Sequence, residues 1–147
     1  MTEAILRPAR AFDAAPCAAI VEAWIEASRW MPRVHPPGSI AALFRQAIWP
    51  RSEVTVAEVQ GEVAGFVALD PTGYVHALHA AAPGSGIGRQ LLDAAKARAG
   101  SLSLWTFEAN THARRFYLRQ GFREGRRSEG DNPEALPDVE YLWRAAA

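Results

Sequence analysis

Apolar and polar positions along this chain repeat with two different periods, and the changes of period mark out its elements. Ala4-Ile5-Leu6-Arg7-Pro8 reads as a short first strand. Asp13 is placed to cap a helix that carries Cys17, Ile20, Trp24 and Ala27 on one face, with Pro16 tolerated in its first turn. Prolines 32, 36 and 37 forbid helix in the stretch that follows. Ser39 then caps a second helix through Ile40, Leu43, Phe44 and Ala47, which Trp49-Pro50 ends. Glu53 to Val59 alternates apolar with polar, Gln60-Gly61 turns, and Glu62 to Leu69 forms a more buried strand. After the turn Asp70-Pro71-Thr72-Gly73, the strand from Tyr74 to Ala80 runs into a glycine-rich loop. Ile87, Leu91, Ala94 and Ala95 mark the buried face of the next helix, stopped by Gly100. Ser101 to Phe107 is a strand, a helix follows Asn110, and Phe122 to Arg127 and Val139 to Arg144 make a terminal antiparallel pair around a polar loop. This order predicts one α/β (α+β) domain over residues 1–147, a mixed sheet flanked by helices.

The loop Pro83-Gly84-Ser85-Gly86-Ile87-Gly88-Arg89 carries the strongest chemical signal. Glycine lacks a Cβ, so a bulky anion can approach its N–H groups closely. A helix opening at once adds unpaired donors and the positive end of its dipole, which together make a pyrophosphate cradle. An ordinary turn before a helix remains the plainer alternative for a glycine run alone. Gly88 is followed by Arg89-Gln90 rather than Lys-Ser/Thr, which excludes a Walker loop, and the G-x-G-x-G spacing does not fit the dinucleotide fingerprint.

A second block, Leu104 to Phe122, decides between these readings. Its Asn110, Ala113, Phe116, Tyr117, Gly121 and Phe122 match an N-x-x-A-x-x-F/Y-Y-x-x-x-G-F helix, and the glycine loop before it is close to R/Q-x-x-G-x-G/A. Both motifs, in this order, closely resemble the GCN5-related N-acetyltransferase (GNAT) superfamily. The resemblance covers about the last two-thirds of the chain. It implies the GNAT fold, with central strands splayed at the cofactor site. It also implies acetyl transfer from acetyl-CoA to a primary amine of a small molecule or peptide by direct attack.

Carried onto this sequence, the resemblance places pantetheine along the strand edge at Leu78, His79 and Ala80. It places the pyrophosphate on Ser85, Gly86, Ile87, Gly88 and Arg89. Asn110 meets a pantetheine amide, although it is equally a good helix cap. Arg115 and Phe116 complete the cofactor set. Tyr117 is the general acid for the departing thiolate; packing beside Phe116 is its structural alternative. For the base, His79 is preferred over His76, Glu62 and Glu108. Trp30 and His35 are acceptor candidates, together with the polar Asp131, Asn132 and Glu134. Two departures from the family pattern stand out. Pro83 replaces the usual Arg or Gln, and the connection from Leu78 to Gly86 is about two residues short, with Arg89, Arg114 or Arg115 to compensate. A non-catalytic coenzyme A sensor of the same fold is the alternative these departures keep open.

Composition narrows the picture. Sixteen basic residues balance sixteen acidic ones, so no global field favours nucleic acid or an anionic membrane. A docking modifier of histones or ribosomes is disfavoured on the same ground. The single Cys17 excludes an intrachain disulfide and fits a cytoplasmic setting; it reads as core filler. No basic-then-apolar leader or membrane-length apolar run is present. Four histidines and one cysteine show no metal-ligand spacing. Trp143 on a terminal strand suggests a homodimer.

Overall fold

The computed structural model describes residues 3–146. Seven strands form two antiparallel sheets. In the first, β1 (Ile5–Pro8), β2 (Glu53–Val59), β3 (Glu62–Leu69) and β4 (Val75–Ala80) lie in chain order. In the second, β7 (Asp138–Arg144) lies between β5 (Ser101–Phe107) and β6 (Arg123–Ser128). The sheets meet where β4 and β5 run parallel, through a bridge between Tyr74 and Ser103. Beyond it β4 pairs with β3 and β5 with β7, so the two strands part.

Three local devices hold that junction. The Asp70 carboxylate accepts from the N–H of Thr72 and Tyr74, from the Thr72 hydroxyl, and pairs with His76 Nε2 at 2.8 Å. Burial alone would raise this carboxyl, yet those bonds hold it at about 2. At Gly73, φ is +89° and a Cβ would stand 2.4 Å from the Ser101 carbonyl oxygen, so no larger residue fits between the sheets there. A register irregularity opposite Leu69 skips His76 and re-aims the rest of β4.

Helix α1 (Ala14–Ala27) covers one face of the first sheet and α3 (Ile87–Arg98) the other. The buried stripe of α1 is Ala14, Cys17 and Ala18, with Val21 partly buried behind them. Cys17 fills the core, where burial pushes its thiol up to about 12. Of the expected stripe Cys17 is buried, Ile20 and Trp24 are half-buried and Ala27 is exposed, so the buried face is turned toward Ala14 and Ala18. On α3 the buried set is Ile87, Leu91, Leu92 and Ala95, with Leu92 in the place expected of Ala94. Gly65 of β3 sits beneath this helix: a Cβ there would lie 2.8 Å from Ile87 Cγ2 and 2.8 Å from the His79 carbonyl oxygen.

Other expectations are corrected. Neither Asp13 nor Ser39 caps a helix through its side chain. The Asp13 carboxylate, 1% exposed, takes a two-pronged bond from Arg7 and the Arg10 N–H, while Arg7 Nε reaches Glu58 at 2.6 Å. Ser39 donates to the Pro36 carbonyl. The second helix is α-helical only over α2 (Ile40–Leu43); it widens into a π-turn at Phe44–Ile48 and tightens at Trp49–Arg51. The Trp143 ring is half-buried against the core rather than exposed, with the Lys96 ammonium 5.2 Å from its centroid. No described helix is long and apolar enough to cross a membrane.

Arg7 is the largest influence holding the Asp13 carboxyl below its ordinary range. A lowered carboxyl contributes stability that is present above its unfolded value of about 3.9 and lost as pH falls through the folded value. Asp13→Asn should cost about 3 kcal/mol in chemical denaturation at pH 7, because Arg7 loses its buried partner. The difference from wild type should shrink as pH drops below about 4. A gap independent of pH would mean that the carboxylate charge plays no part.

Candidate active site

A cleft of about 650 Å³ opens where β4 and β5 part. Its walls come from both strands, the loop into α3, α4 (Thr111–Arg119), the end of α1 and the 31–48 segment. The volume suits a small-molecule ligand.

The phase of the β3–β4 ladder determines what β4 offers to this cleft. The Ala81 N–H bonds to the Ala64 carbonyl. Bonding alternates along an antiparallel pair, so His79, opposite Phe66, turns its backbone groups inward to β3. Leu78 and Ala80 turn theirs outward to the parted edge. Buried backbone donors and acceptors need partners, and an extended amide-bearing chain supplies them. Of the three expected edge residues, Leu78 and Ala80 are therefore the available main-chain partners. His79 contributes its side chain.

The loop ends with Gly84 at φ +80° and Gly86 at φ +84°, where an added Cβ would meet nothing within 4 Å. Glycine is needed there for the left-handed backbone. The Ser85 N–H is used by the Ala82 carbonyl at 3.3 Å, and the Ile87 N–H has a long bond to Ser85 Oγ at 3.5 Å. The N–H groups of Gly86, Gly88 and Arg89 meet no acceptor among the described residues, so the cradle is narrower than the expected five. The Ile87 side chain is core, and the Arg89 side chain is 71% exposed beside Asp93.

Across the cleft, Asn110 Oδ1 accepts from the Ala113 N–H at 3.1 Å, which caps α4. Its amide nitrogen has no partner among the described residues and Asn110 lines the cleft, so capping and ligand contact are compatible. Phe116 lies over Gly88, with ring carbons 3.6 and 3.8 Å from a Cβ built there. Tyr117 is buried against Phe116, Phe122 and Tyr141, and it also lines the cleft. Burial pushes its phenol far above the ordinary value, and the hydroxyl bonds to no described residue.

His79 stacks on Phe66 at 5.8 Å between centroids and meets Trp24 edge-on at 5.2 Å. Burial pushes its imidazole down to about 4, so it is neutral near pH 7. His76 also lines the cleft but is held by Asp70, while Glu62 and Glu108 do not line it. His35 lines the cleft; Trp30 stands one ring behind, edge-on to Trp24 and Phe107. Arg115 is exposed on α4 and is not among the described residues that line the cleft, and Arg114 is engaged by Tyr141, Glu108 and Glu124. Arg119, near the end of α4, also lines the cleft. Of the polar acceptor candidates, Glu134 lines it, whereas the Asn132 amide is spent on Leu136 and Asp138.

Sequence reasoning missed Tyr141. Its hydroxyl donates to Glu124 and accepts from Arg114 Nε, both at 3.1 Å, which ties α4 to β6 and β7. A tyrosine in an alternating strand carries no signal for that role. Among the described residues no three His, Cys, Asp or Glu side chains gather as a metal set.

The family model of the acetyltransferase (GNAT) domain matches residues 50–124. No curated protein matches the chain. Among solved structures it is similar to a GCN5-related N-acetyltransferase from Rhodopseudomonas palustris, at 24% identity over 99% of this chain and 98% of that one, with a TM-score of 0.78. It is also similar to YncA of Salmonella typhimurium, solved with its cofactor acetyl-CoA, at 19% identity over 99% and 98%, TM-score 0.72. A ribosomal-protein-alanine N-acetyltransferase from Brucella melitensis gives 20% identity over 96% and 99%, TM-score 0.72. At these identities the likeness is one of fold.

Gly86→Glu would force a side chain into a left-handed backbone and aim a carboxylate at the free N–H groups. Acetyl-CoA should then lose its stabilising shift in Tm, while the unliganded variant keeps the wild-type circular dichroism spectrum. An unchanged ligand-induced shift would put the phosphate site elsewhere.

Proposed function

We propose, from the premise that this chain belongs to the GNAT acetyltransferase family, that it moves the acetyl group of acetyl-CoA onto a primary amine of a small molecule or peptide by direct attack. The observation that carries this reading is the open edge of β4 leading straight to the unpaired N–H groups at the start of α3. A ligand with amide groups in its arm and a pyrophosphate at its end complements both features at once.

When bound, acetyl-CoA supplies an activated thioester carbonyl and a thiolate leaving group. The N–H groups of Gly86, Gly88 and Arg89 would hold the pyrophosphate at the positive end of the α3 dipole. Leu78 and Ala80 would pair with the pantetheine amides, and the Asn110 side-chain amide would meet one from the other strand. Phe116 closes the wall over Gly88.

Tyr117 holds a proton at Oη. Its raised pKa keeps it protonated at every working pH, as a donor to a departing thiolate must be. His79 takes the accepting role in this reading. Neutral at pH 7, its ring receives the proton of the attacking amine transiently and passes it on through solvent; at about 4 it is too weak a base to retain one. The amine must arrive largely deprotonated, and the site's low polarity favours that form.

Tyr117→Phe keeps the ring and its packing and removes only the hydroxyl. kcat should fall about ten- to a hundred-fold, with acetyl-CoA affinity unchanged in calorimetry. An unchanged kcat would remove Tyr117 from the chemistry.

The pH profile makes a second test. With His79 at about 4, kcat/KM should climb steadily toward the amine's own pKa and show no inflection near 6.5. An inflection near 6.5 that survives in His79→Gln would assign the base to another histidine.

A further inference from the structure

The limb of the cleft away from α3 differs in character from the part that faces the glycine loop. Trp24, Met31, Val34, Leu43, Phe44 and Ile48 line it. Trp24 continues through Trp30 to Phe107 as a chain of edge-to-face rings, with centroid separations of 5.8 and 5.6 Å. The π-turn at Phe44–Ile48 follows directly on α2, and Phe44 and Ile48 of this wall come from it. Turns of this kind cost backbone regularity and recur at functional sites.

Charge points the same way. Among the described residues that line the cleft Glu134 is the only carboxylate, and Arg89 and Arg119 line it too. Glu22 on α1 pairs with Arg33 through Oε2 and is not among the described residues that line the cleft. A polycation brought here would meet one carboxylate at most. Each further ammonium would be desolvated without a partner, which costs several kcal/mol apiece in order of magnitude.

We propose that the acceptor is a small amine carried on a flat apolar body, an arylalkyl amine, and that the limb between α1 and the π-turn is the pocket for that body. This rests on the acetyl-transfer reading above and narrows it. The aromatic walls offer edge and face contacts to a ring, and burial of apolar area provides the binding energy. The attacking nitrogen then lies at the polar end of the body, toward Tyr117 and His79. Only one amine is brought in, and it reaches the thioester in its neutral form because the surroundings penalise its cation. The same surroundings keep the His79 imidazole uncharged. The nitrogen's lone pair forms the new bond to the acetyl carbon, the carbon–sulfur bond breaks, the thiolate takes the Tyr117 proton, the amine's surplus proton leaves by His79 to water, and water returns one proton to the Tyr117 oxygen.

The test is coenzyme A release with phenethylamine and tryptamine set against spermidine, kanamycin and an N-terminal peptide, with the Tm shift given by acetyl-CoA measured in parallel. The arylalkyl amines should lead in kcat/KM by about tenfold or more, the scale on which a pocket discriminates apolar bodies. Val34 is 43% exposed at the rim, so Val34→Arg should fold normally. It should raise the phenethylamine KM several-fold and leave the acetyl-CoA Tm shift unchanged; Leu43→Asp, deeper in the limb, should do the same more strongly. Preference for spermidine, kanamycin or the peptide, with a normal acetyl-CoA shift, would overturn the apolar acceptor and leave acetyl transfer standing. So would acetyl-CoA binding without turnover of any arylalkyl amine, or a folded Val34→Arg with wild-type KM. Absence of any acetyl-CoA shift would overturn the acetyl-transfer reading and this one together.

Discussion

Strands β4 and β5 are joined at Tyr74 and Ser103, and every feature of the cleft follows from how little they share beyond that point. Two parallel strands continuing side by side would satisfy each other's backbone groups and leave no opening. Here the turn bound by Asp70, the close passage of Gly73 against Ser101 and the bulge at His76 set β4 on a diverging course. The outward groups of Leu78 and Ala80 are therefore left to solvent or ligand. An edge in this state is an aggregation hazard on an open sheet surface. Within a cleft, walled by α4 on one side and aromatic rings on the other, it becomes a template for an extended ligand.

The two hydrophobic clusters have separate tasks. The larger one fixes α3 and α4 over the face that carries Leu91, Leu92, Tyr117 and Tyr141, and so aims the loop N–H groups and the phenol at the cleft. The other packs α1 and the α2 segment against Val56, Phe66 and Ala68, and its edge of aromatic rings forms the apolar limb. Placing His79 against Phe66 and Trp24 belongs to this second cluster. That choice of neighbours decides its chemistry: a ring packed on the Phe66 face and beside Trp24 is desolvated, and so neutral, well oriented and a poor store for a proton.

The strands and the two motifs could be read from the sequence because each rests on local physics. Period-two alternation places β2 and β5 over the residues expected, and the glycine spacing locates the left-handed turns before α3. Asn110 was legible as a cap for the same reason. Non-local competition was not legible. Asp13 looks like a helix cap until Arg7, six residues earlier, is brought beside it. Arg114 looks available for phosphate until Tyr141 and Glu124 take it. The apolar limb is assembled from α1, the proline-rich stretch and a π-turn, and no sequence period announces a helix that widens by one residue. The main-chain phase that separates His79 from Leu78 and Ala80 is likewise invisible without the register of β3 on β4.

The central claim, that the parted β4 edge and the first turn of α3 form one ligand track, is tested most directly by amide resonances. In a nitrogen–proton correlation spectrum recorded as acetyl-CoA is added, the Leu78, Ala80, Gly86, Gly88 and Arg89 N–H groups should shift downfield together. Their hydrogen exchange should slow as well, as expected of donors that acquire acceptors. The His79 N–H, already bonded to β3, should keep its slow exchange throughout. Shifts confined to Phe12 in the turn before α1 and to Ile20 on α1, with the β4 and α3 amides unmoved, would contradict the claim.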